Sequence, residues 1–391
     1  MSRQIITGLD IGTNSLRVVV CEVKKGDSTP TVLAMVKKNS RGLRRGYIIN
    51  FDEASESIQT AIADAERVIK QKIRKITLGI GGATLESKLV DGTIAVSRPD
   101  AEINELEINR CIESTETTLP DIKNKQILHR IPVAFKLDNK RILGRPEGLQ
   151  GSKLEAKILF VTYSAQHLKD LVKAVEDSGV IIEDIVASPL AASFSTLTKI
   201  QKVSGCVLIN IGSQTTSIAI FEEGLPISIQ IFPLGSTDIT NDIALGFRIP
   251  LEDAERIKKG EGEGAITKKK LDEIIQARLS DIFELIESHL KKMGLSGLLP
   301  AGVVITGGGS NISNIEDLTK SYFKLPAKIA SPEIGMISKN QIKDTVWSVA
   351  YGLCIFALLD GEVSNPRQHS SASNRYPIWS WIKSIIRELW P

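Results

Sequence analysis

Aromatic residues make up only 5% of the 391-residue chain, and cysteine and histidine are scarcer still, at four each. Cys21, Cys111, Cys206 and Cys354 lie far apart and form no CxxC, which excludes zinc-ribbon spacing and a disulfide framework and predicts ordinary buried thiols. His129, His167, His289 and His369 show no metal-ligand spacing, so no catalytic histidine and no histidine-held metal is expected. Charge of one sign is also lacking: 49 basic residues face 46 acidic ones, for a formal +3, with no long block of either. That balance argues against a nucleic-acid coat protein. Of the uncharged runs, Val346 to Leu359 is closed by Asp344 and Asp360 and falls short of the roughly 20 residues of a spanning helix, so it reads as a buried helix. Met1-Ser2-Arg3-Gln4 leads straight into a strand pattern, and no signal region is expected. Neither G-x-x-x-x-G-K-[ST] nor a well-formed G-x-G-x-x-G occurs, which separates the chain from P-loop enzymes and dinucleotide oxidoreductases.

What the sequence does contain is a duplication. The length predicts two or more domains, and Leu9-Asp10-Ile11-Gly12-Thr13-Asn14-Ser15 is echoed, at an offset of 200, by Ile209-Asn210-Ile211-Gly212-Ser213-Gln214-Thr215. Each copy reads as an apolar strand, a small polar turn with glycine, and a second strand, Leu16–Cys21 or Thr216–Phe221. Between the copies strands and helices alternate as in an α/β protein: a helix over Asp52–Gln71, a strand over Ile76–Ile80, a strand over Ile158–Thr162 and a helix over Leu168–Val175. Residues 82–158 interrupt this alternation with shorter strands, a polar helix near Ile103–Glu116 and a loop at Gly144–Gly148, the pattern of an inserted subdomain. After the second copy, helices are predicted over Glu252–Lys258 and Lys268–Met293, separated by a flexible Gly260–Gly264 loop. The strand Val303–Thr306 then leads into Gly307-Gly308-Gly309, and Gly361–Tyr376 reads as a disordered linker.

Two facing glycine hairpins can clamp a phosphate tail, because glycine permits tight turns whose backbone N–H groups converge on an anion. Asp10 would stand near a bound Mg²⁺ through water. Gly12 and Gly212 shape the turns, and Thr13, Asn14, Ser213, Gln214 and Thr215 offer hydroxyl, amide and backbone donors to ATP. Gly307, Gly308, Gly309 and Ser310 form a third element, expected to approach the nucleoside and to open a helix whose N-terminus favours an anion. Gly235 completes the set.

The order of these motifs resembles the actin, Hsp70 and sugar-kinase superfamily, and the whole chain is similar to the FtsA family of bacterial cell-division proteins. Ser40-Arg41-Gly42-Leu43-Arg44-Arg45-Gly46, His129-Arg130-Ile131-Pro132 and Gly148-Leu149-Gln150-Gly151 carry the more specific part of that likeness. The resemblance implies a duplicated actin-like α/β fold: subdomain 1A at 1–81 and 159–197 with 340–360, an SHS2-like subdomain 1C at 82–158, 2A at 198–239 and 298–339, and 2B at 240–297. It implies that Glu255 and Lys258 contact the nucleoside. It further implies self-association into filaments, other divisome partners, and a contact for the tail of the tubulin-like FtsZ on subdomain 2B, where Lys268, Lys269 and Lys270 could attract an acidic peptide. One departure stands out: the second motif usually begins with Asp, and here that position is Asn210. Without a carboxylate there, binding with slow or absent turnover is expected. The competing readings are an actin-like ATPase of type IV pilus assembly and a small-molecule kinase, which would need a carboxylate base aimed at a substrate hydroxyl, and no Asp or Glu stands out as one by sequence.

Residues 378–391 point to a membrane. At about 100° per residue, Ile378, Trp379, Trp381, Ile382, Ile385, Ile386, Leu389 and Trp390 fall in one arc of roughly 180°, with Lys383, Arg387, Ser380, Ser384 and Glu388 opposite. Three tryptophans beyond a linker fit an interfacial helix on the cytoplasmic face of the cell membrane, weak in a monomer and strengthened by assembly.

Overall fold

A computed structural model describes residues 3–24, 29–97, 100–261, 267–332 and 343–363. The membrane helix expected over 378–391 and the rest of the expected linker beyond Val363 lie outside the described residues.

The first half opens with β1 (Arg3–Ile11), β2 (Ser15–Lys24) and β3 (Thr31–Asn39). A two-residue-loop hairpin, β4 (Leu43–Arg44) and β5 (Tyr47–Ile48), then leads to α1 (Phe51–Ile69) and β6 (Lys75–Ile80). The Asn50 side chain caps α1 by accepting from the Glu53 amide, 3.3 Å, one of the orphan donors every helix start must satisfy. An excursion follows: β7 (Glu86–Ala95), α2 (Glu105–Glu116), β8 (Lys125–Leu137), β9 (Lys140–Ile142) and β10 (Lys153–Ser164). The chain returns through α3 (Ala165–Glu176), β11 (Ile181–Ala187), α4 (Ser188–Thr196) and α5 (Lys199–Ser204). The second half contains β12 (Cys206–Ile211), β13 (Thr216–Glu222), β14 (Leu225–Phe232), α6 (Ser236–Phe247), α7 (Leu251–Lys258) and α8 (Lys268–Lys292). It closes with β15 (Val303–Thr306), α9 (Ile315–Phe323), β16 (Ala327–Ile329) and α10 (Ser348–Val363).

The duplication is a duplication of topology. The first sheet runs β11-β6-β1-β2-β3 and the second begins β16-β15-β12-β13-β14, so each half sets its strands in the order fifth, fourth, first, second, third. In both, the first strand pairs antiparallel with the second and parallel with the fourth. Register is repeated as well: Asp10 lies opposite Arg17 and beside Gly79, and Asn210 lies opposite Ser217 and beside Thr306. Leu9, Leu16, Val18, Val20 and Leu78 are buried under α1 in the first core, and Ile209, Ile211, Ile218, Ile220 and Ile305 under α6 and α8 in the second.

The excursion has a core of its own, built from Ile103, Ile108, Cys111 and Ile112 against Leu154, Ile158 and Phe160. Its strands nevertheless extend the second sheet as β14-β7-β10-β8-β9, joined by the single backbone pair Gln230–Glu86. Where backbone pairing stops, Ser87 Oγ accepts from Ile229 N, 2.7 Å, and donates to Ile229 O, 2.9 Å, standing in for a ladder rung.

Helix α10 is apolar all round, as a helix buried on several sides must be. It packs on β1 and β2 through Ala350, Tyr351, Cys354 and Leu358 and on α4 through Gly352, where an added Cβ would stand 1.8 Å from Ala191 O. This is the buried helix expected from the uncharged run, and it extends through Gly361–Val363, so the linker predicted to begin at Gly361 is helical for its first three residues. The helix, buried through Phe356 and Leu358, continues past the composition change. All four cysteines are buried and free, as expected. No helix among the described residues is long and apolar enough to cross a membrane.

Candidate functional site

Between the halves lies a cleft of about 490 Å³, within the roughly 300–1,000 Å³ of small-molecule sites. Its walls are the two hairpin turns. An added Cβ on Gly12 would stand 2.8 Å from Ser15 O, and one on Gly212 would stand 2.9 Å from Thr215 O. The two turns therefore have the same close geometry, and a side chain at either glycine would press on the backbone of its own turn.

Of the residues singled out from sequence, Asp10, Gly12, Thr13, Asn14, Asn210, Gly212, Ser213, Thr215, Glu255, Lys258, Gly307, Gly308 and Gly309 line this cleft. Gln214, Gly235 and Ser310 do not line it. The Gln214 side chain accepts a hydrogen bond from the Arg45 amide, 2.9 Å. Gly235 is where α6 begins against the second hairpin: its N–H donates to Asp238 Oδ2, 2.8 Å, and the next two amides donate to Gly212 O and Ser213 O, 2.9 and 2.7 Å. Ser310 is fully buried, and its hydroxyl donates to Gly307 O, 2.7 Å. The third element also differs from expectation. Gly308–Asn311 is a single 3-10 turn, and α9 begins only at Ile315, so no α-helix N-terminus opens directly from the glycines. A left-handed Gly307, φ +87°, makes the reversal; a Cβ there would stand 2.2 Å from Asn210 Oδ1.

Asp10 is buried, and Arg17 Nη1 donates to its Oδ2 at 3.0 Å. Burial pushes the carboxyl pKa up from its ordinary value, and the Arg17 charge offsets only part of that. Ser15 Oγ, 99% buried, and Arg17 Nε have no hydrogen-bond partner among the described residues, although both residues line the cleft. Buried polar atoms left this way mark a place where a polar ligand or water completes the set.

On the opposite side, α7 presents Glu255 and Lys258. Lys258 Nζ reaches Glu255 Oε2 at 2.6 Å, Thr240 Oγ1 at 2.7 Å and Ser236 O at 3.0 Å, and the Lys258 side chain is only 8% exposed. Burial lowers the Lys258 pKa; Glu255 is raised by burial but held lower on balance by Lys258 and Thr240. The pair is an ordered wall of the cleft, with Lys259 adding a third charge at 3.2 Å from Glu255 Oε1. Lys268, Lys269 and Lys270 stand apart from the cleft at the start of α8, all exposed. Lys270 is docked, donating to Gly246 O at 2.7 Å and lying over the Phe247 ring at 5.0 Å.

Sequence reasoning missed Arg17, Lys37, Gly46, Gly81, Gly82, Ser188 and Thr345, which also line the cleft. The signal for Gly81-Gly82 was present, since each half carries glycines directly after the strand that pairs parallel with its first strand. Thr345 belongs to a chain of hydroxyls at the base of the cleft. Its Oγ1 donates to Gly307 O, 2.9 Å; Thr306 Oγ1 meets Ser348 Oγ at 2.6 Å; and Ser195 Oγ donates to Ser348 O, 2.6 Å. These bonds tie the second half to α10 and α4.

A curated cell-division protein of Pseudomonas aeruginosa, FtsA, is 30% identical to this chain, with 91% of the chain and 90% of the relative aligned. The FtsA of Borreliella burgdorferi is 31% identical over 91% of both. The chain belongs to the FtsA family. The family model for cell division protein FtsA matches residues 207–352, and the model for the SHS2 domain inserted in FtsA matches residues 82–162, the excursion described above. Solved structures agree in fold. The PilM–PilN type IV pilus biogenesis complex aligns with TM-score 0.68 at 16% identity over 90% of this chain and 97% of the other. MreB5 of Spiroplasma citri, solved with ADP, aligns with TM-score 0.52 at 15% identity over 90% and 96%. This is accordingly a cell-division protein of the FtsA family, built on a duplicated actin-like α/β fold with an SHS2 insertion.

Proposed function

We propose that the cleft binds ATP with Mg²⁺, and that the protein assembles into filaments at the cytoplasmic face of the membrane at the division site and tethers FtsZ there. The observation that carries the nucleotide reading is the pair of matching glycine turns lining one cleft, with the Ser15 hydroxyl of the first hairpin buried and unpartnered among the described residues. The donor set fits a polyphosphate: backbone amides at Gly12–Asn14 and Gly212–Thr215, hydroxyls of Thr13, Ser15 and Ser213, and no second acidic hairpin residue to repel it. Asp10 is the carboxylate available to the metal through water, since Arg17 engages one of its oxygens. Mg²⁺ would supply charge neutralisation for the phosphates. Gly307–Gly309, Glu255 and Lys258 would hold the nucleoside. MreB5 structures with ADP and AMPPNP share the fold and support this reading. With Asn210 in place of a second carboxylate, turnover is slow or absent.

The tether rests on residues 378–391, whose apolar arc and three tryptophans fit an interfacial helix. FtsZ recruitment through the region of α6–α8 rests on family membership, with Lys268 and Lys269 as exposed charges for an acidic tail. Two experiments test the proposal. Isothermal titration with ATP, with and without Mg²⁺, reads the cleft, and no binding of either form overturns the nucleotide assignment. Co-sedimentation with anionic liposomes compares the full chain with one ending at Asn374. Pelleting of the full chain alone, increased by ATP, is the expected result; both remaining soluble overturns the tether.

A further inference from the structure

The hairpin formed by β4 and β5 turns through Arg45 and Gly46, both left-handed at φ +49° and +82°, the geometry of a two-residue type I′ loop. Glycine at the second position is required: its φ is positive, and a Cβ would stand 2.5 Å from Gly82 Cα. Arginine at the first position is unusual, because a side chain with a Cβ pays about 1–2 kcal/mol to enter this region and Asn or Asp normally takes it. Strain of that kind persists where surrounding contacts over-determine it.

Those contacts are specific. The Gly46 amide donates to Thr13 Oγ1 of the first hairpin at 3.0 Å, and the adjacent Arg45 amide donates to Gln214 Oε1 of the second at 2.9 Å. One two-residue tip therefore holds a side chain from each half. The tip belongs to the first half: Gly46 is seated on Gly82, Ala83 N donates to Arg45 O at 3.3 Å, and Tyr163 Oη donates to Gly81 O at 3.1 Å just beneath. The Arg45–Gln214 bond is thus a bond between the halves, next to Gly46 and Ser213, which line the cleft.

It also sets direction. A backbone amide has only a proton to offer, so the Gln214 carbonyl oxygen must face Arg45 and its NH₂ must face away. Thr13, accepting from Gly46, keeps its own hydroxyl proton to donate.

We infer that the Arg44–Tyr47 hairpin is a latch between the halves and that Gln214 is its positioning residue, closing the halves by accepting from Arg45. The affinity readout of this inference rests on the cleft being the nucleotide site; the closure readout does not.

Two variants separate the roles. Gln214→Glu keeps an acceptor for the Arg45 amide and loses the donors, whereas Gln214→Leu loses both. Because the four native cysteines are buried, a Gln59→Cys, Ser280→Cys pair on exposed positions of α1 and α8 accepts spin labels selectively. Pulsed electron resonance on the nucleotide-free protein then reads the distance between the halves. The expected result is a longer, broader distance distribution for Gln214→Leu and a distribution like the parent's for Gln214→Glu. Gln214→Leu should also bind MgATP about threefold to tenfold more weakly than the parent, the factor carried by one ordinary hydrogen bond, and Gln214→Glu should bind more tightly than Gln214→Leu. An unchanged distribution in Gln214→Leu overturns the latch, as does an equal shift in both variants, since the acceptor survives in the carboxylate. If the parent binds no ATP, the nucleotide assignment fails, and the distances still decide the latch.

Discussion

Asp10 and Asn210 hold the same position in the two halves, but Asp10 faces Arg17 across its hairpin where Asn210 faces Ser217. The carboxylate has a cation partner at 3.0 Å, and the amide does not need one. The two sides of the cleft are thus alike in backbone and unlike in charge.

That asymmetry predicts the outcome of restoring the missing acid. Asn210→Asp should raise steady-state phosphate release relative to the parent by supplying a carboxylate that can orient water. It should also lower stability modestly, because Ser217 gives the new charge no cation. No increase in phosphate release would show that Asn210 does not limit turnover.

Arg17→Met should act on the other hairpin in the opposite sense. Burial already raises the Asp10 carboxyl, and removing the Arg17 cation that offsets part of that raises it further. The neutral acid then holds a metal-bound water poorly. MgATP affinity should fall in the variant and recover partly as pH rises, while ATP without metal is affected less; titration at two pH values checks this.

Gly307→Ala should cost about 2–4 kcal/mol, through a left-handed backbone and contacts of 2.2 Å to Asn210 Oδ1 and 2.7 Å to Ile211 O. Urea unfolding reads the loss. A change below about 0.5 kcal/mol would mean that the 307–311 turn relaxes freely.

His129 supplies a pH signature. It is buried in β8, its Nε2 accepts from Ala187 N at 3.0 Å, and burial lowers its pKa from 6.5 to about 4. The unfolded chain takes up this proton first as pH falls, so stability from the neutral ring is complete above pH 6.5 and is lost progressively toward pH 4. Between pH 7 and pH 5 the loss from this group should be about 2 kcal/mol. His129→Gln cannot titrate and should show correspondingly less pH dependence over that interval; equal dependence would place the titrating group elsewhere.

The fold was legible in the sequence to the extent that it is periodic and repeated. The echo of residues 9–15 in 209–215 led to the duplicated sheets, and the broken alternation at 82–158 led to the inserted domain, because both are patterns of neighbours along the chain. Most of the cleft followed from glycine turns for the same reason. What was not legible depends on contacts far apart in sequence. Nothing near Gln214 says that its carbonyl is taken by Arg45, 169 residues away. Likewise, Gly235 and Ser310 look like phosphate donors until their N–H and O–H are found satisfied by Asp238 and Gly307. The end of α10 was misplaced by composition, since Gly361 and Ser364 resemble a linker while the helix runs on to Val363.

Helix α10 has a mechanical consequence. It is wedged against β1 at Gly8 and against α4 at Gly352, with a Cβ at either glycine lying 2.4 Å or closer to the neighbouring backbone. At its other end Ser348 is bonded to Thr306 and Ser195, at the junction of the halves. The helix is therefore held by both halves at once, so a change in its seating would be felt at their junction rather than at a surface loop.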